Sequence, residues 1–321
     1  MVRRAEPAAR PPGFWVLPMD PWLTVATGDN FSLSSETMSD DKRDLLSLDV
    51  TGITNVLVHP GSLWREVRVV DETGSTNADL LARAGAGAAE GVVLVAEAQT
   101  AARGRQGRRW ISPPRAALTF SVLLRPRGVP AALLGWVPLL AGVAAASAVR
   151  AATGVEAVLK WPNDVLAAGG KLGGILAERS GSVVVVGIGI NVWQDRAGLP
   201  GAAATSVLLE AAGGDGGAAE VPGLREPLLA ELLGALSRWY LAWRDQASPG
   251  DADACGLRRE YARRCTTLGH EVVVTMPGAE AITGTATGVD WAGRLKVRTE
   301  HGLVSVTAGD VVHVRPRDPG K

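Results

Sequence analysis

Apolar residues change their spacing several times along this chain, and each change predicts an element. From Asn77 to Ala84 the spacing is helical, whereas Gly91 to Ala98 and Leu118 to Leu124 are short, nearly continuous apolar runs of strand length. The apolar stretch from Ala131 to Ala152 is long enough to raise the question of a membrane span, but Pro138, Gly142, Ser147 and Arg150 make it a poor one. It reads as a buried core helix beginning near Trp136. Pro138 suits its first turn, where a missing amide hydrogen costs nothing, and Gly154 sits just past its end. Further strands are predicted at Ala157 to Lys160, stopped by Pro162, at Leu172 to Glu178 and at Val183 to Ile190. After a Gly-rich surface loop from Gly213 to Gly217, Leu224 to Trp243 predicts a helix with Leu228, Leu229, Leu232, Leu233, Leu236 and Trp239 on one side. From about Leu268 the texture becomes short strands: Glu271 to Met276, Ile282 to Val289, Leu295 to Thr299, Leu303 to Val306 and Val311 to Arg315. They are separated by Pro277-Gly278, Gly293 and Gly302, a spacing that predicts a small β-barrel.

Residues 1–44 carry Pro, Gly, Ser and charge without sustained periodicity, which predicts a flexible leader. That region has no pair of amphipathic helices around a short turn, so a helix-turn-helix reader of DNA is not expected. Its prolines also interrupt any apolar run that could serve as an export signal. The 321 residues carry 33 basic and 33 acidic side chains, a formal net charge of zero, which gives the molecule as a whole no electrostatic reason to seek nucleic acid or an acidic membrane. Two cysteines, Cys255 and Cys265, make neither a disulfide framework nor a metal set with His, and a reducing cytoplasm is expected. Local charge is less even. No Asp or Glu occurs between Glu97 and Glu156, while Arg103, Arg105, Arg108, Arg109, Arg115, Arg125, Arg127 and Arg150 all do. That window is suited to meet an anion.

Four segments carry candidate chemistry. Arg103-Gly104-Arg105-Gln106-Gly107-Arg108-Arg109-Trp110 combines glycines that let the backbone bend with forked guanidinium donors that match phosphate and carboxylate oxygens. Alone it is equally compatible with a flexible basic loop. Lys160-Trp161-Pro162-Asn163-Asp164, followed by Gly169-Gly170-Lys171-Leu172-Gly173-Gly174-Ile175-Leu176-Ala177-Glu178, can bring two cations and a carboxylate together across a strand turn, or present a polar hairpin tip to water. Thr73-Gly74-Ser75-Thr76-Asn77-Ala78-Asp79 lies at a predicted helix start, where Thr76 and Asp79 could form a capping box or the exposed groups could hold a polar head group. Val186-Gly187-Ile188-Gly189-Ile190-Asn191 reads as a close-packed strand, with no third glycine for a dinucleotide fingerprint and no Walker A loop elsewhere.

In this order and spacing the four segments resemble the biotin protein ligases, through that family's Gly-Arg-Gly-Arg-x-Gly-Arg-x-Trp, Lys-Trp-Pro-Asn-Asp, Lys-Leu-x-Gly-Ile-Leu-x-Glu and Gly-x-Gly-x-Asn patterns. The resemblance implies a mixed α/β (α+β sheet) catalytic domain over residues 45–265 and an SH3-like barrel over 266–317. It implies activation of biotin by ATP and magnesium to biotinyl-5′-adenylate, then transfer to a lysine of a biotin carboxyl carrier domain of acetyl-CoA, acyl-CoA or pyruvate carboxylase. Carried over residue by residue, Ser75, Thr76 and Asn77 meet the ureido end of biotin, with Gln99 beside them. Arg103, Gly104 and Arg105 close over the ligand, Arg108 faces phosphate, and Trp110 packs near adenine. Lys171 contacts the reacting carboxylate, while Gly173 and Gly174 give the ring room. Lys160, Asn163, Asp164 and Asn191 line the nucleotide side, with Asp164 the expected magnesium neighbour. Ala102 departs from the pattern at the loop's first glycine, which predicts altered loop dynamics with activity retained.

The leader's lack of a DNA-reading pattern points to a monofunctional ligase, as monomer or homodimer. A lipoate ligase of related fold and a protein that only holds the adenylate are the rival readings. Removing residues 1–44 is expected to leave ligation intact, and a folded but inactive truncation would refute the reading of that segment as dispensable.

Overall fold

In the computed structural model, residues 47–211, 223–276 and 278–313 are described. The expected leader, the loop at 213–217, Pro277 and the end of the last expected strand lie outside them. Helix α1 (Thr51–Leu57) precedes β1 (Glu66–Thr73), α2 (Thr76–Gly85) and β2 (Val92–Gln99), a crossover that leaves β1 and β2 parallel. Then come β3 (Ala117–Leu124), α3 (Trp136–Thr153), β4 (Ala157–Lys160), β5 (Asp164–Ala167), β6 (Gly170–Ser180) and β7 (Val183–Asn191). Together the strands form a seven-stranded mixed sheet of order β1-β2-β3-β7-β6-β5-β4. Helices α4 (Val207–Ala211), α5 (Arg225–Arg244) and α6 (Leu257–Arg264) follow.

One face of this sheet is packed along its length and the other only in part. On β7 the residues Val184, Val186, Ile188 and Ile190 point into the main core, with Phe120 and Val122 of β3 and Ile175 of β6 beside them. Against that face lies α3, whose Val137, Leu140, Ala141, Ala144, Ala145 and Ala148 are buried almost completely. Its apolar length satisfies a membrane-span criterion, yet two-thirds of it is inside the protein, as expected of a core helix. Gly154 ends it in a left-handed conformation (φ 73°), donating its N–H to Arg150 O at 2.9 Å. Helix α5 packs on α3 through the predicted leucines, but the face ends on Tyr240 and Trp243, both fully buried, and Trp239 is only half-buried.

On the opposite face, Val183 and Val185 join Leu80 of α2, Val92, Leu94 and Leu123 in a small second core. Beyond them the same face of β7 continues as Gly187, over which only the first turn of α2 reaches through Asn77, and Gly189, over which Trp110 lies. A pleat of period two therefore explains the Val-x-Val-x-Gly-x-Gly spacing that reads, along the chain, as a uniform apolar run.

Two local readings are corrected. The cap of α2 is Ser75, whose side chain accepts from Ala78 N at 3.4 Å; Thr76 is already helical, and Asp79 accepts from Thr73 Oγ1 instead of returning a capping bond. Between Pro162 and Lys171 the chain does not make one hairpin: Asp164–Ala167 forms β5, paired with both β4 and β6. The C-terminal strands β8 (Glu271–Thr275), β9 (Ile282–Val289), β10 (Leu295–Thr299), β11 (Gly302–Val306) and β12 (Asp310–His313) make an antiparallel sheet of order β11-β10-β9-β8-β12, consistent with the expected SH3-like barrel, its edges β11 and β12 not paired with each other. The turn between β9 and β10 seats on the larger domain. Trp136 Nε1 donates to Trp291 O at 2.8 Å, Trp161 Nε1 to Gly293 O at 3.3 Å, and the apolar residues of both parts form one continuous core.

The second core rests on few side chains, so truncation there is costly. Leu80→Ala is expected to lower the unfolding free energy by about 2–5 kcal/mol in urea, the usual cost of emptying a fully buried leucine site. A loss under about 1 kcal/mol would mean that α2 is not held by this cluster.

Candidate active site

Where α2 stops covering the sheet, a cavity of about 440 Å³ opens, a size that suits a small organic ligand. Its floor is the glycine face of β6 and β7. A Cβ on Gly189 would come within 2.7 Å of Trp110 Cζ2, and one on Gly174 within 3.4 Å of Trp110 Cζ3. The absence of side chains at these two positions lets the indole lie on the sheet. Trp110 Nε1 is a buried donor without a protein partner.

One end of the cavity is a polar recess at the start of α2. Thr76 N donates to Gln99 Oε1 at 2.9 Å, and Thr76 Oγ1 lies 2.6 Å from Ser121 Oγ. Ser121 Oγ donates to Asn77 Oδ1 at 2.6 Å, and Asn77 Nδ2 donates to Glu178 Oε2 at 2.7 Å and to Leu176 O at 3.2 Å. Gly187 is the position over which the Asn77 amide lies; a Cβ there would overlap Asn77 Oδ1.

The other end is cationic. Six basic side chains, Arg103, Arg105, Arg108, Arg109, Lys160 and Lys171, line the cavity against two carboxylates, Asp164 and Asp310. The arginine segment is ordered as a narrow hairpin: Arg103 bridges Arg109, Gly104 N donates to Arg108 O at 2.6 Å, and Trp110 N donates to Ala102 O at 3.1 Å. Its left-handed residues are Gln106 (φ 54°) and Gly107 (φ 73°). Ala102 is buried and not among them, so the missing glycine imposes no backbone strain there.

Arg105 Nη1 donates to Asn163 Oδ1 at 3.1 Å and to Gly309 O at 3.3 Å, and Arg108 pairs with Asp310 of β12. Burial pushes the Arg105 guanidinium below its ordinary value; Asp164 opposes this and Arg108 adds to it. The pocket is thus short of negative charge. Lys171 Nζ donates to Asp164 Oδ1 at 2.6 Å, which brings together the two polar groups that the sequence separates by a turn and a strand.

Of the residues singled out in the sequence, Ser75, Thr76, Asn77, Gln99, Arg103, Gly104, Arg105, Arg108, Trp110, Lys160, Asn163, Asp164, Lys171 and Gly174 all line this one cavity. Gly173 and Asn191 do not. Gly173 faces the core side, where a Cβ would sit 2.6 Å from Gly189 O and from Ile190 Cδ1, so its bareness serves strand packing. Asn191, 2% exposed, lies behind Lys171: its Nδ2 donates to Thr205 O at 2.9 Å and to Lys171 O at 3.4 Å. Sequence reasoning missed Thr119 and the C-terminal contributors Thr275, Asp310, Val311 and Val312. It also missed Ser121 and Glu178 behind the wall. The Gly-Asp pair before the last strand is the one signal that could have marked Asp310. Of the acid-free window's other arginines, Arg125 donates to Ala88 O and Arg150 pairs with Glu156, both away from the cavity.

A mixed sheet carries a cavity with a polar recess at one end, an arginine hairpin at the other and a small β domain closing the side. Residues 70–195 match the biotin/lipoate A/B protein ligase family, and 267–314 match the biotin protein ligase C-terminal domain. A biotin–acetyl-CoA-carboxylase ligase of Mycobacterium tuberculosis is 42% identical over 87% of this chain and 100% of its own length. One from Paracoccus denitrificans is 35% identical over 74% of this chain and 97% of its own. A solved biotin protein ligase from Aquifex aeolicus, in complex with biotin and ATP, superposes with a TM-score of 0.63 at 28% identity, covering 78% of this chain and 100% of that one. The chain belongs to the biotin protein ligases.

Since Gly189 makes room for the indole, Gly189→Ala is expected to lift Trp110 and loosen the hairpin. Trypsin should then cut between Arg103 and Arg109 several-fold faster than in the parent. Unchanged cleavage and tryptophan fluorescence would show that the ring does not depend on that position.

Proposed function

We propose that this chain activates biotin with ATP to biotinyl-5′-adenylate and transfers the biotinyl group to a lysine of biotin carboxyl carrier domains, that of acetyl-CoA carboxylase above all. The observation that carries the reading is Lys171, held against Asp164 in the wall of the cavity that also holds the polar recess and the arginine hairpin. A carboxylate oxygen of biotin attacks the α-phosphorus of ATP and pyrophosphate leaves. The amine of the acceptor lysine then attacks the carbonyl carbon of the mixed anhydride, and AMP leaves. Both steps place charge on oxygens near Lys171, where a fixed cation stabilises the transition state more than the ground state.

Ser75, Thr76 and Asn77 receive the ureido end, with Gln99 beside them, and Gly174 leaves space for the ring. Arg103, Gly104 and Arg105 cover the bound intermediate. Arg108 and Lys160 meet the phosphates, Asn163 orients Arg105, and Trp110 packs on the adenylate. Asn191 acts indirectly, by holding the backbone of Lys171. Magnesium fits this donor set. Such an ion takes one or two protein carboxylates and completes its shell with phosphate and water oxygens, so Asp164 supplies what the protein must give. When bound, the ion neutralises charge on the phosphates. No cluster of three ligating side chains occurs among the described residues.

The same reading divides the chain near Cys265 into a catalytic domain and a C-terminal domain whose Asp310 and Gly309 steady the hairpin. It makes the protein a monofunctional, cytoplasmic enzyme without a nucleic-acid partner, serving pyruvate carboxylase as well where that carrier is present.

Incubating a purified carrier domain with the protein, biotin and Mg-ATP should add one biotinyl mass to one lysine. A gain with lipoate alone would shift the recess to the rival substrate, and no gain with either would refute ligation. Lys171→Ala is expected to keep the fold and lose at least about a hundredfold in adenylate formation, the usual scale for removing a transition-state charge contact. Parental pyrophosphate release from the folded variant would overturn the role given to Lys171.

A further inference from the structure

We propose that Glu178, a carboxylate outside the cavity wall, sets the donor–acceptor polarity of the head-group recess and so acts as a positioning residue for ligand choice. The inference rests on the biotin reading above and adds to it. Neither Glu178 nor Ser121 lines the cavity, yet both belong to a continuous chain of hydrogen bonds that ends on Thr76, which does.

The direction of that chain follows from counting protons. Asn77 faces two acceptors on one side, Glu178 Oε2 at 2.7 Å and Leu176 O at 3.2 Å, so its NH2 group must point that way. Its Oδ1 therefore points at Ser121, which donates to it at 2.6 Å. A serine hydroxyl has one proton, and this contact uses it. The 2.6 Å contact between Ser121 Oγ and Thr76 Oγ1 then needs the proton of Thr76. Gln99 Oε1, slightly farther from Thr76 Oγ1 at 3.1 Å, already accepts the Thr76 backbone N–H at 2.9 Å. Thr76 donates to Ser121, Ser121 to Asn77 and Asn77 to Glu178, so the Thr76 proton is turned out of the cavity along a chain that ends on a carboxylate that can only accept.

The consequence at the surface is that Thr76 Oγ1 offers the ligand lone pairs and no proton. It suits an N–H of a cyclic urea and repels a ring oxygen at the same place. Gly187 is part of the device, since any side chain there would displace Asn77. A polar recess built to accept one hydrogen bond rejects an analogue lacking the donor strongly, because the buried acceptor is left unpaired.

Two variants test this. Glu178→Gln can turn either face of its amide to Asn77 and loses the bias; Ser121→Ala cuts the chain in the middle and frees the Thr76 proton. Calorimetry would compare biotin with its two cyclic carbamate isomers, in which one ureido N–H is replaced by oxygen. The parent is expected to reject at least one isomer by about tenfold or more relative to biotin, and each variant to bind biotin about tenfold more weakly while rejecting that isomer less. The double variant should be no worse than Ser121→Ala alone, because both changes break one chain. ATP affinity should stay at the parental value in both, and both variants should remain folded at the assay temperature. Selectivity unchanged in the variants, or two losses that simply add, would overturn the polarity role and leave the ligase reading standing. A parent that binds no biotin would overturn both.

Discussion

Three positions without side chains on two neighbouring strands, Gly174, Gly187 and Gly189, allow a ligand cavity on the face of a β-sheet. A pleated face otherwise projects a side chain at every second residue, leaving no room for an indole or an amide to lie flat. Glycine inside a strand costs roughly 0.5–1 kcal/mol relative to alanine, and that cost is met on the reverse face. There Phe120, Val186, Ile188 and Ile190 bury against α3, so one strand is a core element and a cavity floor at once. Everything that touches the floor inherits its geometry: Trp110 from the arginine hairpin, Asn77 from α2 and Lys171 from the start of β6.

Electrostatics divides the cavity along its length. At the recess, charge is kept one layer back, with Glu178 reaching Asn77 and leaving the wall itself neutral. At the mouth, cations outnumber carboxylates and Arg105 is held in a partly desolvated setting that an incoming anion would relieve. The cavity thus offers a neutral hydrogen-bonding recess at one end and an excess of cations, Lys171 among them, at the other.

The C-terminal sheet takes part in this arrangement. It shares the core of the larger domain and supplies a section of the cavity wall through Asp310, Val311 and Val312. The Arg108 pair with Asp310 and the Arg105 bond to Gly309 O join the hairpin to that sheet. The open edge between β11 and β12 sets β12 beside β8, and the start of β12 carries Asp310 to the hairpin.

The sequence by itself determined the long core helix, most strands within a residue or two, the C-terminal change of texture and fourteen of the residues that meet at the cavity. The helix, the strands and the change of texture depend on local periodicity, turn chemistry and residue type, which any stretch of chain displays without its neighbours, whereas the fourteen residues were marked by the resemblance of four segments to the biotin protein ligases. It left β1, β5, α1, α4 and α6 unmarked because their patterns are short or mixed, and it put Trp239 on the buried face of α5 where Tyr240 and Trp243 belong. Only the tertiary structure decided that Asn191 braces the Lys171 backbone, that Gly173 serves strand packing, that Ser121 and Glu178 stand behind the recess, and that Asp310 crosses from another domain to Arg108. Each of these depends on which face of a strand a residue occupies and on what packs against it from far along the chain. Strand register and domain docking fix that, and neither is written in local spacing.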